Sequence, residues 1–233
     1  MPRLLPRYFA QLDKVLKLSL ERQNGGVVRL LAVSKTKPVE DVYTLYRSGQ
    51  RDFGENYLQE ALQKQRALAH LAINWHFIGP IQSNKTRDIA NHFQWVHSVD
   101  RLKVAQRLNQ QRPDYMPPLN ICLQVNVDVE DSKSGLLLED LDAAIKPMLA
   151  FKKLRIRGLM AIPTSNQSIE NQRRAFRKLR MAKDKANERL GLNMDTLSMG
   201  MSNDLEAAID EGATIVRIGT AIFGSRASWR TRS

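Results

Sequence analysis

Short apolar runs alternate with longer amphipathic stretches along almost the whole chain. Aliphatic and β-branched residues gather at 29–34 (RLLAVS), 51–55, 75–79, 94–99, 120–127, 155–162, 196–200 and 214–220. Between these runs apolar positions recur every three or four residues. That spacing predicts helices beginning near Val39, Tyr57, Asn84, Arg101, Leu138, Ser168 and Asn203. Ahead of the first run, Leu12, Val15, Leu16 and Leu20 recur with Lys14, Lys17 and Glu21 between them, which predicts an additional N-terminal helix resting on those four apolar residues. Strands that alternate with helices imply a parallel sheet, and runs apolar on both faces imply that the sheet is covered on both. Eight such units in 233 residues predict an α/β fold, a closed (β/α)₈ TIM barrel, forming one domain over 1–233. An open doubly wound sheet is the alternative, but no run is followed by the glycine fingerprint G-x-G-x-x-G.

Composition narrows the class. With 42% hydrophobic and 26% charged residues the chain is expected to bury a sizeable core. No apolar stretch is long enough for a bilayer, and the first residues do not read as a secretion signal. The single cysteine, Cys122, lies in a predicted strand and has no partner for an internal disulfide, so a reducing, cytoplasmic setting is expected. A net charge of +12 and a pI near 10.0 bring nucleic acid into view. The basic residues, however, fall on helices such as 171–190, mixed with Asp and Glu, and aromatics make up only 6%. That pattern reads as a solvated basic face, without specific nucleic-acid recognition and without membrane attachment.

In barrels of this kind the functional groups gather where the strands' C-terminal ends meet. There the first run ends in LLAVSKTKP, placing Lys35 on one face with Leu31 and Val33. A lysine at the mouth is partly desolvated, which favours its neutral, nucleophilic amine; an ordinary strand-end lysine in an ion pair is the alternative. Lys37, next to Pro38, is expected in the solvated loop. Asn56, in FGENYLQE, offers a donor and an acceptor at the second strand end, or caps the next helix. His76 falls within the third strand and reads as a core histidine as readily as a catalytic one, while Trp75 and Phe77 read as packing groups. Ser83, Asn84 and Lys85 open a helix, Lys133 falls in a surface loop, and Met160 and Ile162 form apolar wall or core.

The last two units say more. Ser202 sits at a strand-to-helix turn, where it either caps the helix or meets an anion. Arg217 shares a face with Ile215 and Gly219, opposite Val216 and Ile218, inside an otherwise apolar strand. Turned inward, its guanidinium requires a carboxylate or a ligand acceptor beside it. Gly219 and Thr220 offer backbone N–H groups where barrel enzymes often bind phosphate. A condensing amine, an anion cradle and an arginine suit pyridoxal 5'-phosphate (PLP). A cofactor-free lysine aldolase acting on a sugar phosphate competes with that reading.

The blocks LLAVSKTKP, FGENYLQE, WHFIGPIQSNK, GLMAIP, SMGMSNDLEAAI and VRIGTAIFG run in order along the chain. Together they resemble the pyridoxal phosphate homeostasis family, which is similar to the barrel half of the alanine racemases among the fold type III PLP proteins. The resemblance implies that Lys35 holds PLP as a covalent aldimine, Asn56 lies near the ring, Arg217 meets the pyridine nitrogen, and Ser202, Gly219 and Thr220 bind phosphate. It also implies a cytoplasmic carrier or buffer of PLP that affects amino-acid metabolism indirectly, with PLP-requiring apo-enzymes as recipients. A weak amino-acid racemase is the alternative. The racemases resembled take a second acid/base from a C-terminal β-domain that the sequence does not show, which favours the carrier. A monomer is expected.

Overall fold

The computed structural model describes residues 3–22, 26–129, 134–164 and 168–225. After α1 (Leu4–Glu21) come β1 (Arg29–Val33), α2 (Val39–Arg47), β2 (Asp52–Glu55), α3 (Leu58–Ala67), β3 (Asn74–Phe77), α4 (Thr86–His92) and β4 (Trp95–Val99). The chain continues through α5 (Leu102–Gln111), β5 (Leu119–Gln124), α6 (Leu141–Met148), β6 (Leu154–Met160), α7 (Ile169–Leu190), β7 (Thr196–Ser198), α8 (Leu205–Asp210), β8 (Ile215–Ile218) and α9 (Thr220–Phe223). The strands form a closed barrel in sequence order, every neighbour parallel. The ring is sealed where Leu31 stands opposite Arg217 and Ala32 opposite Ile218.

Alternation along each strand separates two apolar layers. Leu30, Ala32, Phe53, Val216 and Ile218 turn outward into the large core shared with the helices. Leu31, Trp95, Cys122, Met160 and Ile215 turn inward and fill the barrel's axis. Burial pushes the Cys122 thiol up to about 12, so it behaves as a small inert hydrophobe. The longest helix, α7, starts at the predicted Ser168, whose hydroxyl oxygen accepts from the Asn171 N–H at 3.3 Å, and stops at Gly191 in the left-handed conformation. Four of its basic residues pair with carboxylates on or next to neighbouring helices, Arg173 with Asp210, Arg177 and Arg180 with Glu211, and Arg189 with Asp142.

Three local expectations are corrected. Helix α1 packs against α2, α8 and α9 through Leu4, Tyr8, Val15 and Ser19, whereas Leu20 is 86% exposed. The true stripe lies one position away from Leu16 and Leu20, and the tyrosine and serine in it are hidden from a hydropathy pattern. The helix expected near Leu138 starts at Leu141, and the one expected near Asn84 is a 3₁₀ turn, Ser83–Lys85, that leads into α4. No helix among the described residues is long and apolar enough to cross a membrane.

Strands β6 and β7 approach so closely that a Cβ at Gly158 would lie 1.7 Å from the Thr196 carbonyl oxygen. Both groups are backbone and neither can rotate away. Gly158→Ala is therefore expected to destabilise the fold by about 3 kcal/mol, lowering Tm by roughly 6–12 °C in a thermal melt.

Candidate functional site

Lys35 stands two residues beyond β1, and both of its neighbours are held by charged side chains. The Lys64 Nζ donates to the Ser34 carbonyl at 2.7 Å, to Glu55 Oε1 at 2.7 Å and to Glu60 Oε1 at 2.6 Å. Ser34 Oγ donates to the same Glu55 oxygen at 2.6 Å, and the Thr36 N–H donates to Glu60 at 2.6 Å. Lys64 is 5% exposed and Glu55 is fully buried. Thr36 adopts a left-handed φ of 61°, the conformation that lets the chain turn between these anchors. The clamp fixes the backbone on both sides of Lys35, so the half-buried Lys35 side chain projects from a rigid base. Sequence reasoning missed Lys64. Its spacing from Glu60 signals a helical pair, but the link to Glu55 exists only once α3 packs on β2.

Lys35 lines a small cavity of about 60 Å³ together with Val33, Thr36, Lys37, Gly219 and Thr220. The predicted amine and two of the three predicted phosphate residues therefore share one pocket across the β1–β8 seam. A Cβ on Gly219 would sit 3.3 Å from the Val33 carbonyl oxygen, so glycine keeps this seam open. Lys37 corrects its expectation of a solvated loop residue. Its Nζ donates to the carbonyls of Gly224 and Ser225, both at 3.0 Å, and ties the first loop to the last turn.

Ser202 lies on the same rim, in the loop between β7 and α8, and does not line this cavity. It is not the cap either. Asp204 holds that position, and its carboxylate accepts from the Met201 N–H at 2.5 Å. Burial raises the Asp204 carboxyl above the ordinary range, while that hydrogen bond and the nearby Arg217 act the other way.

Arg217 turns inward as its register predicts and is 5% exposed. Its Nη1 donates to the Ser198 carbonyl at 2.5 Å and to Ser198 Oγ at 2.8 Å, and its Nη2 donates to the Ala161 carbonyl at 2.9 Å. Among the described residues no carboxylate forms an ion pair with it; Asp204 acts only as a nearby charge. Burial accordingly lowers its pKa to about 10, which still leaves it cationic at neutral pH.

Asn56 borders a second cavity on the rim, of about 220 Å³, with Ile78, Pro80, Gln124, Asn126 and Ile162. Its Oδ1 is buried without a hydrogen-bond partner among the described residues. The capping alternative fails, because the cap position of α3 is Tyr57. An unsatisfied buried amide oxygen carries a desolvation penalty that a ligand donor relieves. Met160 belongs to the axial core and Ile162 to the cavity wall; Trp75 and Phe77 pack in the outer core, and Lys133 lies outside the described residues. Among the described residues there is no cluster of metal-binding side chains.

Comparison with known proteins converges on one group. A family model described as alanine racemase, N-terminal domain, matches residues 16–227. A protein of Pseudomonas aeruginosa called pyridoxal phosphate homeostasis protein is 64% identical over 205 residues, covering 88% of this chain and 87% of the relative. The solved structure of PipY from Synechococcus elongatus with PLP bound superposes with a TM-score of 0.83 at 35% identity, covering 95% of this chain and 100% of PipY. An alanine racemase of Corynebacterium glutamicum, at 15% identity, shares the fold with a TM-score of 0.70, over 98% of this chain and 63% of its own.

Burial raises the Glu55 carboxyl above the usual range, opposed by the charge and hydrogen bonds of Lys64 and Ser34. Replacing the ammonium by Lys64→Met leaves Glu55 buried and unpaired, and a stability loss of about 3–5 kcal/mol is expected. A carboxyl with a raised pKa in the folded state takes up its proton there before the unfolded chain does, so acid favours folding. The deficit of K64M relative to the unsubstituted protein should therefore be larger at pH 8 than at pH 5, read from paired denaturant titrations.

Proposed function

The chain belongs to the alanine racemase N-terminal domain family and, within it, to the pyridoxal phosphate homeostasis proteins, and from that premise we propose that it is a reversible carrier of PLP. The observation that carries this reading is the sharing of one rim pocket by Lys35, Gly219 and Thr220, with the cationic Arg217 on the same inward face. When bound, PLP supplies an aldehyde, an anionic phosphate and a pyridine ring that withdraws electrons.

The residues present suit each part. Lys35 would hold the aldehyde end through its amine. Gly219 and Thr220 open α9, whose first N–H groups have no intrahelical acceptor and are free to meet phosphate oxygens. Ser202, on the adjoining loop, adds a hydroxyl to the phosphate. Arg217 faces the ring nitrogen, and because a guanidinium keeps its proton it disfavours protonation of that nitrogen. A ring kept neutral there draws electrons weakly, which suits storage better than bond breaking at a bound amino acid. Asn56 brings its unsatisfied oxygen to the ring's side, where a hydroxyl donor would complete it. The PLP-bound PipY structure supports the same ligand at the same fold. On this reading the protein is a single barrel domain that acts as a monomer in the cytoplasm and passes PLP to apo-enzymes that need it.

Incubation with PLP, reduction with borohydride and peptide mass mapping is expected to place one pyridoxyl group on Lys35. Lys35→Ala should abolish the label while leaving the melting temperature within a few degrees. A label on another lysine, or none, refutes the assignment.

A further inference from the structure

The anchor of Arg217 continues through the barrel to its opposite end. Ser198 Oγ, which accepts from Arg217, lies 2.7 Å from His97 Nδ1; His97 Nε2 lies 2.9 Å from His76 Nδ1; and His76 Nε2 lies 2.9 Å from Asp52 Oδ1. Asp52 is the first residue of β2 and belongs to the base of the barrel, with its side chain 19% exposed, whereas both imidazoles are buried. The chain thus crosses from β2 through β3 and β4 to β7 and β8.

With both imidazoles neutral and Asp52 ionised, the carboxylate end favours one direction along this chain. Arg217 has no acceptor, so Nη1 must donate to Ser198. From the other end, the Asp52 carboxylate, which can only accept, draws the His76 proton to Nε2, so His76 Nδ1 accepts from His97 Nε2–H and His97 Nδ1 accepts the Ser198 proton. Both imidazoles must be neutral for this to hold, and their surroundings keep them so. Burial first, and then His76 and the charges of Arg217 and Arg29, hold His97 well below the ordinary histidine range. Burial also lowers His76, against the opposing pull of Asp52. Trp95 stacks on His76 at 5.5 Å, and on that indole lie the guanidiniums of Arg29 and Arg157 at 4.9 and 4.8 Å, so cations face the pair from β1 and β6 as well. Burial, the largest single influence, raises the Asp52 carboxyl, but the bond and charge of His76 together with Arg29 and Asn74 outweigh it and hold the group below the usual carboxyl range.

We propose that Asp52, His76, His97 and Ser198 are positioning residues for Arg217, forming a one-way hydrogen-bond relay from the base of the barrel that fixes the guanidinium beneath the cofactor. This rests on the reading that Arg217 meets the pyridine nitrogen of PLP. With its proton committed to His97, the Ser198 oxygen has both lone pairs available and Arg217 meets no competing donor. In the reversed tautomer His97 donates to Ser198, the hydroxyl proton is left without its acceptor, and one oxygen must accept from His97 and Arg217 together, which loosens the hold on the guanidinium. Asp52, at the far end, decides between these two states because only a terminal acceptor favours the first.

The relay is tested with nitrogen-15 histidine labelling and NMR of the cofactor-free protein, followed by PLP titration. His76 and His97 are expected neutral and protonated at Nε2, with Asp52→Ala moving His97 toward the Nδ1–H form. The same substitution is expected to weaken PLP binding about three- to tenfold, the worth of one hydrogen bond, and to shift the pH dependence of the bound cofactor's absorbance. Asp52→Asn, which keeps an acceptor oxygen, should restore the tautomers. Ser198→Ala cuts the relay at its other end and serves if Asp52→Ala does not fold. A parent protein that takes up no PLP at Lys35 sinks the reading of the site and the relay's role with it. Normal uptake by the parent, with tautomers, affinity and absorbance unchanged in the variants, overturns the relay alone.

Discussion

Closure of the sheet between β1 and β8 is the constraint on which the rim depends. Leu31 faces Arg217 across that seam, and two residues further on Val33 meets Gly219. The first and last strands thereby lay the Lys35 loop against the start of α9. Because side chains alternate with a period of two, a slip of one residue would turn Arg217 and its neighbours into the helical layer. The outward leucines, valines and isoleucines that pack on the helices oppose such a slip. The apolar register therefore also positions the polar groups.

Two cations are buried near that rim, in opposite ways. Lys64 is enclosed by two carboxylates and a carbonyl and is saturated. It serves the shape of the Lys35 loop and offers nothing to a ligand. Arg217 rests on two carbonyls and a hydroxyl, none of them charged, with Asp204 acting only from a distance. Its positive charge is oriented without being neutralised, the condition in which it can still respond to a ring nitrogen or an anion. Saturated and unsaturated charge thus separate scaffold from site on the same end of one barrel.

Much of this was legible in the sequence because it depends on strand alternation. All eight strands lie where the apolar runs place them, and the inward turn of Leu31 and Arg217 follows from the period of two. The family blocks contain the same residues. What the sequence hid depends on contacts between elements. Lys64 reads as a surface helix residue until α3 covers β2. His97 is one apolar-run histidine among others until Ser198, 101 positions away, comes within 2.7 Å. Asp204 takes the cap position open to Ser202 because the turn before α8 is two residues longer than the periodicity suggests. Lys37 looked solvated because its acceptors, Gly224 and Ser225, lie at the far end of the sequence.

That last tie has a bearing on biosynthesis. Lys37 and Gly224 are 187 positions apart, so the seam is among the most non-local contacts in the molecule. Such contacts form late, after the loop entropy of the intervening chain has been overcome. A chain emerging from the ribosome displays Lys35 early yet has no opposite wall for it until β8 has been made. Lys35 and the start of α9 therefore meet only once β8 has been made, so the wall opposite the amine is the last part of the seam to be supplied.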